Sequence, residues 1–242
     1  MSIDADSNKR IAKNSIFMSM RMVLVLAITL YTSRIILKAL GIEDYGIYNV
    51  VAGFVTMFGF LNTSLSNGIQ RFYNFELGKT NIEGVNKIYN MSLLIQLILS
   101  IAVVVPAELL GTWYLHNKMV IPTDRLFAAE CVFHLSLVAF LFNILQVPYT
   151  AAVMAHERMD FYALMSILNA LMSLGCAFII PLYTGDHLVF YGVFIALISF
   201  IFLLVYIIYA KRNFNEIYLN FNFQRHLFKE ILCFSGWNVL VL

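Results

Sequence analysis

The chain has 242 residues, of which 61% are hydrophobic and 12% are charged, and its formal net charge is +2. Soluble globular domains are about 45–50% apolar and about 25% charged, so this composition excludes a soluble globular protein. A run of ~20 apolar residues is long enough to cross the ~30 Å hydrocarbon layer as a helix. We therefore expect an integral membrane protein.

Six apolar segments are long enough to span a membrane, namely residues 16–40, 47–66, 88–110, 126–147, 161–183 and 188–209. Only helices and closed barrels satisfy their backbone groups in lipid, and these segments are far longer than the ~10 residues of a barrel strand. The predicted fold class is an all-α integral membrane protein with a six-helix transmembrane lobe in residues 16–210. Residues 1–15 are polar and precede the first span without a signal-peptide cleavage site.

The first two spans are joined by a very short turn within residues 32–54. The apolar pattern stops at Gly41, passes the acidic residues Glu43 and Asp44, and restarts at Gly46. A connection this short makes the two helices antiparallel neighbours. We predict a transmembrane hairpin.

The distribution of basic residues predicts the orientation of the spans. If residues 1–15 are cytoplasmic, alternation of the spans places twelve of the sixteen Lys and Arg residues on the cytoplasmic side. Cytoplasmic loops of membrane proteins carry such an excess. The sequence therefore predicts a cytoplasmic N-terminus, with four basic residues on the opposite side: Arg34, Lys38, Lys118 and Arg125.

The end of the chain resembles its beginning. We predict that residues 211–230 form a cytoplasmic linker and that residues 231–242, which are too few to span, start a seventh helix. At an offset of 216, Lys9 matches Arg225, Lys13 matches Lys229, Ser19 matches Ser235, and residues 23–26 match residues 239–242. We expect a second lobe in parallel orientation to follow, in a natural protein that is longer.

Two residues of the first span are candidates for substrate binding. Charged side chains inside spans are costly and mark functional sites by default. Arg21 lies about one and a half turns into its helix. Its side chain either extends to the lipid headgroups or binds a phosphate in a central cavity, because a guanidinium is a rigid fork of donors. Thr32 continues the same helix face.

Polar side chains recur at intervals of four along the second and third spans. Those of the second span, which end beside Arg71, are Asn62, Ser66 and Gln70. Those of the third span are Ser92, Gln96 and Ser100. Such stripes either bind neighbouring helices or form the wall of a hydrophilic cavity suited to a sugar or a headgroup. The cavity candidates among them are Asn62, Ser66, Gln70, Arg71 and Gln96.

Glu130 and His134 are candidates for ion coupling. Glu130 is the deepest acidic residue, about one turn into the fourth span, and His134 follows one turn later. A carboxylate and an imidazole at this spacing can titrate together. The alternatives are that Glu130 pairs with Asp124 or Arg125 at the interface, and that His134 is a hydrogen-bonded packing residue.

The sequence shows no catalytic motif of the kinds searched for. It contains no HExxH, GxSxG or P-loop motif, and its five His and three Cys residues show no metal or disulfide spacing. We expect neither catalytic residues nor a cofactor or metal site.

Three segments carry a family resemblance: SRIILKALGIEDYGIYNVV, LSNGIQRFYNFELGK and PYTAAVMAHERMDFYALMSILNA. With them, the chain resembles the N-terminal half of the bacterial polysaccharide flippases of O-antigen and capsule biosynthesis. These belong to the multidrug, oligosaccharidyl-lipid and polysaccharide exporter (MOP) superfamily. The resemblance extends over essentially the whole chain, as a pattern rather than a diagnostic signature.

The resemblance implies a MATE-like lobe that, with a second lobe, forms a V-shaped cavity open alternately to either face. The implied cargo is an undecaprenyl-pyrophosphate-linked oligosaccharide, carried from the cytoplasmic to the periplasmic leaflet of the bacterial inner membrane, with an ion gradient as driver. Arg21 inherits a headgroup-binding role. The implied partners are this lipid-linked oligosaccharide, membrane lipid, and a polysaccharide polymerase with its assembly proteins, but no nucleic acid.

Two other functions remain open at the level of sequence. One is a multidrug or cation antiporter of the same superfamily, against which the scarcity of deep acidic residues argues. The other is a noncatalytic membrane scaffold or an inactive truncated membrane protein.

Overall fold

The computed structural model describes residues 2–220 and 223–241, and all regular structure in these ranges is helical. The helices are α1 (Ser2–Thr56), α2 (Gly59–Gly78), α3 (Ile82–Asn117), α4 (Leu126–Ala155), α5 (Met159–Ile179) with a 3₁₀ turn (Ile180–Leu182), α6 (His187–Asn213) and α7 (Arg225–Val241). The predicted match of Ser235 and residues 239–242 to the N-terminal segment concerns side chains outside this description.

Five helical segments of the described chain are long and apolar enough to cross a membrane: Met18–Thr56, Ile82–Asn117, Leu126–Ala155, Met159–Leu182 and His187–Asn213. The first of them covers nearly all of the span that the sequence predicts at residues 16–40, and the first half of the span that it predicts at residues 47–66. The prediction of an all-α, multi-pass membrane protein is confirmed.

Gly41 divides α1 into two arms. Its backbone angles, φ 82° and ψ 172°, are non-helical, whereas the residues on both sides are helical. This region of backbone conformation is accessible essentially to glycine alone. The hairpin turn that the sequence predicts therefore lies at this residue.

The first arm of α1 runs in the same direction as α5. Arg21, early in the arm, reaches Ser166 near the start of α5. Ile36, near the end of the arm, shares a cluster of buried residues with Cys176 and Ile180 at the end of α5.

The second arm of α1 runs in the opposite direction, along α4. The ring centroids of Phe54 and Phe133 lie 6.3 Å apart, and those of Phe58 and Phe140 lie 6.2 Å apart. Since α4 and α5 are joined by three residues and run in opposite directions, the two arms of α1 are antiparallel. We call the end of the lobe that holds Gly41 the hairpin end.

The second predicted span is not one continuous helix. It is interrupted at Met57 and Phe58, and α2 then runs to Gly78, well beyond the predicted end. At the interruption, the Thr56 hydroxyl and the Met57 N–H both donate to the carbonyl oxygen of Gly53, at 2.9 and 3.1 Å. Back-bonding of this kind by Thr bends helices.

The end of the lobe opposite Gly41 is closed by the segment of residues 214–220, and we call it the linker end. The side-chain amide of Asn86 donates to the carbonyl oxygens of Glu216 and Tyr218, both at 2.7 Å. Asn90 accepts a hydrogen bond from the Asn220 N–H at 2.9 Å. This half of the predicted linker is therefore bound to α3, and residues 211–213 and 225–230 are parts of α6 and α7.

At the hairpin end, Arg125 joins three elements. Its Nε donates to Asp44 Oδ1 at 2.7 Å, its Nη2 contacts Asp44 Oδ2, and its Nη1 donates to Asp186 Oδ2 at 2.7 Å. Asp186 also caps α6 by accepting from the N–H groups of Leu188 and Val189, both at 3.0 Å. The hairpin turn and the starts of α4 and α6 are thus held by one guanidinium.

A first prediction concerns the turn. Gly41→Ala should destabilise the protein by about 1–3 kcal/mol, because alanine is strained at this φ. A Cβ there meets no atom within 4 Å, so the penalty is conformational rather than steric. Gly46→Ala is the matched control: its Cβ also meets nothing within 4 Å, but its φ is helical, so stability should stay equal or rise. Unfolding in mixed micelles measures both, and equal effects of the two substitutions would contradict this account.

A second prediction concerns the guanidinium. Arg125→Ala should lower the free energy of unfolding by about 1–3 kcal/mol, because Asp44 and Asp186 lose charge-assisted hydrogen bonds. Arg125→Lys should lower it by less, because an ammonium keeps the positive charge although it lacks the forked donors of a guanidinium.

The effect should depend on pH. Burial opposes ionisation of Asp186, but the Val189 N–H and the Arg125 guanidinium outweigh it and hold the pKa of this carboxyl below its usual range. The stabilisation is therefore present above the ordinary carboxyl pKa and is lost as pH falls through the lowered value. Unfolding measured against pH should show the wild type and Arg125→Ala converging at acidic pH; a constant difference would refute the assignment.

Candidate functional site

Three cavities meet at Asn143 in the middle of α4. Two have volumes of about 390 Å³ and the third about 220 Å³, and Asn143 lines all three. Together they form a groove along the lobe from the hairpin end to the linker end, which we call the Asn143 groove.

The hairpin-end part of the groove lies between α1, α4, α5 and α6. Its wall carries many hydroxyl and amide groups. They belong to Thr29, Thr32, Ser33, Tyr48, Asn143, Ser166, Asn169, Ser173, Tyr191 and Ser199.

The groove continues past the interruption between α1 and α2. Its middle part is lined by Tyr48, Thr56, Asn62, Ser136 and Asn143 among others. Its linker-end part carries the polar residues Asn62, Thr63, Ser66, Asn67, Asn143, Thr150 and Tyr162.

Asn143 and its neighbours give the groove a neutral, hydrogen-bonding wall. Among the described residues that line the three cavities, none is Asp, Glu, Lys or Arg. Ser, Thr, Tyr and Asn side chains both donate and accept hydrogen bonds, as hydroxyl groups of a ligand do. The Asn143 side-chain amide donates one hydrogen bond to the carbonyl oxygen of Ala139, at 2.9 Å. The arrangement suits a ligand rich in hydroxyl groups.

Arg21 lies at the boundary between the two outer parts of the groove. Its Nη1 is 3.5 Å from Ser166 Oγ, and its guanidinium carbon is 5.0 Å from the ring centroid of Tyr162. Its Nε is buried without a hydrogen-bond partner among the described residues. Arg21 also lies one turn before Val25, the first cavity-lining residue of α1. A cation with spare donors therefore stands beside a neutral groove.

The structure brings together some of the predicted binding residues. Thr32 lines the hairpin-end part, Asn62 the middle and linker-end parts, and Ser66 the linker-end part. Arg21 touches the groove through Ser166 and Tyr162.

Gln70, Arg71 and Gln96 are not among the residues that line the groove. Arg71 is exposed and places its guanidinium carbon 4.5 Å from the ring centroid of Phe234 in α7. Gln96 is completely buried in α3, and neither atom of its amide has a partner among the described residues. The stripe on α3 is thus buried in protein, and its two serines donate to carbonyl oxygens of α3 itself.

Glu130 and His134 lie on the other side of α4 from the groove. His134 and Asn143 are nine residues apart, which at ~100° per residue places them on opposite faces. Glu130 pairs with His116, at 2.8 Å, and His134 pairs with Glu108, at 2.7 Å. The expected pairing of Glu130 with Arg125 is wrong, because Asp44 and Asp186 occupy that guanidinium.

Sequence reasoning missed the polar residues of α4 and α5. Ser166, Asn169 and Ser173 recur at intervals of three and four, which places them on one helix face, so the sequence did contain a signal for this polar stripe. On α4 the groove residues Ser136, Asn143 and Thr150 recur every seven residues, which is harder to notice in an apolar segment.

Comparison with known proteins identifies the fold. No protein-family model and no curated protein sequence matches the chain. Among solved structures, it is similar to an outward-facing multidrug resistance MATE family transporter of the MOP superfamily, with a TM-score of 0.76 and 18% identity over 96% of this chain. The chain has the fold of a MATE-like lobe.

Two further structures agree with this MATE-like fold. One is a MATE protein in a bent conformation, with a TM-score of 0.74 and 18% identity over 96% of this chain. The other is a MOP superfamily transporter from Pyrococcus furiosus, with a TM-score of 0.71 and 20% identity over 94% of this chain. The chain spans 52% of the length of each of these three structures.

A third prediction tests whether the groove holds water. In a background with the three native cysteines replaced by alanine, Asn143→Cys and Ser166→Cys should react with a charged, membrane-impermeant thiol reagent. Gln96→Cys is the control, since this residue is also polar but completely buried. Equal rates at Gln96→Cys and Asn143→Cys would mean that the groove is not a separate aqueous space.

Proposed function

We propose that this MATE-like lobe belongs to a transporter that flips undecaprenyl-pyrophosphate-linked oligosaccharides across a bacterial inner membrane for O-antigen or capsule synthesis. The Asn143 groove with Arg21 beside it supports this most directly. Its neutral donors and acceptors match the hydroxyl groups of a glycan. The guanidinium matches a pyrophosphate, because it donates to phosphate oxygens as a rigid fork.

The distribution of basic residues supports a direction of transport. With a cytoplasmic N-terminus, the linker end is the cytoplasmic side and the hairpin end is the periplasmic side. Arg21 then lies in the cytoplasmic half of the lobe, where the pyrophosphate of a lipid-linked substrate enters from the inner leaflet. The glycan would follow through the groove toward the hairpin end.

The other wall of the pathway would come from a second lobe. The chain spans about half of the MATE structures that it matches, and the predicted parallel lobe after α7 would supply the rest. Membrane lipid, and a polysaccharide polymerase with its assembly proteins, would be the partners of the complete transporter.

A multidrug or cation antiporter is the second candidate, and the likeness to MATE structures fits it equally well. The Pyrococcus furiosus structure is described as having a binding pocket of reversed polarity that suggests a different function for that transporter. An organic cation is usually held by a carboxylate, and no carboxylate is found among the described residues that line the Asn143 groove. The neutral wall of this groove therefore favours the flippase over the antiporter.

A fourth prediction tests the flippase with the protein expressed from its natural reading frame. Arg21→Ala should reduce flipping of a labelled undecaprenyl-pyrophosphate oligosaccharide in proteoliposomes by about tenfold or more, which corresponds to ~1.4 kcal/mol of lost phosphate binding. The flipping rate of Arg21→Lys should lie between those of the wild type and Arg21→Ala, because an ammonium keeps the positive charge but lacks the forked donors of a guanidinium.

Arg34→Ala is the matched control, since Arg34 is on the same helix but exposed and outside the groove. It should flip the substrate like the wild type. Full flipping activity of Arg21→Ala would contradict the proposal that Arg21 binds the pyrophosphate headgroup. Proton- or sodium-coupled uptake of an organic cation, without flipping, would establish the antiporter instead.

A further inference from the structure

Two acid–histidine pairs cross between α3 and α4 in the half of the lobe nearest the hairpin end. His134 Nε2 lies 2.7 Å from Glu108 Oε1, and His116 Nε2 lies 2.8 Å from Glu130 Oε1. Each helix supplies one acid and one histidine. We call these four residues the acid–histidine ladder.

The Nδ1 atoms of both histidines are engaged by backbone carbonyls one turn earlier. His116 Nδ1 is 2.9 Å from the carbonyl oxygen of Thr112, and His134 Nδ1 is 2.7 Å from that of Glu130. A carbonyl oxygen accepts hydrogen bonds but never donates them. In both rings, the nitrogen Nδ1 must therefore carry a hydrogen.

With Nδ1 protonated, the contact at Nε2 requires one further proton. A carboxylate and an unprotonated Nε2 are both acceptors, and two acceptors repel each other at 2.7–2.8 Å. The contact is attractive if Nε2 carries the proton, as imidazolium and carboxylate, or if the acid carries it. Either way, each pair binds one proton more than a neutral histidine and an ionised glutamate do.

The ladder lies outside the Asn143 groove. The side chains of His116 and His134 are 49% and 50% exposed, and His134 lies on the face of α4 opposite Asn143. The connection between the two helices carries the charged residues Lys118, Asp124 and Arg125, of which Arg125 is bound by Asp44 and Asp186. The ladder and the groove are therefore separate sites.

We propose that the acid–histidine ladder is a binding site for two protons, whose occupation holds the hairpin-end halves of α3 and α4 together. When a proton leaves a pair, a neutral imidazole and a carboxylate remain. The imidazole then has one hydrogen for two acceptors, so either its contact with the carboxylate or its contact with the backbone carbonyl oxygen is lost. Glu130 couples the two pairs, because its carboxylate binds His116 and its carbonyl oxygen binds His134.

The structure supplies a matched control at the same end of the lobe. His187 Nε2 lies 3.0 Å from the carbonyl oxygen of Tyr183, and this half-buried residue lies at the start of α6. It has the carbonyl contact of the ladder histidines, and none of the ion pairs found in the described chain includes it. Its titration should leave α3 and α4 unchanged.

The experiment uses the protein from its natural reading frame in lipid nanodiscs. Nitrogen NMR of ¹⁵N-histidine, together with the infrared band of protonated carboxyl groups, follows the protons of the ladder, with signals assigned by His116→Gln and His134→Gln. Hydrogen exchange of residues 108–134, corrected for the intrinsic effect of pH, follows the contact between the helices.

Protection of residues 108–134 should fall as pH rises through the titration of the ladder. In the double variant Glu108→Gln and Glu130→Gln, protection should not change over this pH range, because a glutamine amide donates to a neutral imidazole without any added proton. His187→Gln should behave like the wild type. The proposal is overturned if wild-type protection is constant through the titration, or if the double variant keeps the pH dependence of the wild type. Neither result depends on the cargo, so the proposed flippase stands or falls separately.

Discussion

The backbone of Gly41 is the constraint on which the rest of the lobe depends. Its positive φ ends one helical arm and starts another, so that one apolar segment covers both α5 and α4. The reversal brings Thr32 of the first arm and Tyr48 of the second to the same cavity. Arg125 then fastens the turn to the starts of α4 and α6. A straight helix through this position would leave the groove without one of its walls.

The placement of polar groups divides the lobe into two functional sides. Neutral hydroxyl and amide groups line the groove on one side of α4, and acid–histidine pairs occupy the other side, facing α3. In lipid, an unpaired ionised side chain is costly, which is consistent with the pairing of Glu108 with His134 and of Glu130 with His116, and with the neutral wall of the groove. This separation would allow the proposed substrate contact and the proposed proton binding to use different faces of one helix. Asn143 and His134 mark the two faces.

The sequence was sufficient for the class of fold but only partly for the site. Long apolar segments and the glycine turn predicted the helices and the hairpin, because lipid leaves few other structures available. The interruption at Met57 accompanies hydrogen bonds from Thr56 and Met57 to the same carbonyl oxygen, that of Gly53, and a hydrophobicity pattern does not reveal such contacts. Polar stripes of similar helical spacing proved to be groove wall at Ser166 and buried packing at Gln96, because spacing identifies a helix face but not what that face contacts. The ion-pair partner of Glu130 is His116 on α3, and the residues next to Glu130 in the sequence do not identify it.

The central claim is that the Asn143 groove holds the glycan while Arg21 holds the pyrophosphate. The most direct test is photo-crosslinking of a lipid-linked oligosaccharide that carries its reactive group on the first sugar, with the sites of attachment mapped by mass spectrometry. The account predicts attachment within α5 around Ser166 and Asn169, and its loss when excess unlabelled substrate is added. Attachment confined to the exposed surface of α3, or attachment that unlabelled substrate does not displace, would contradict it.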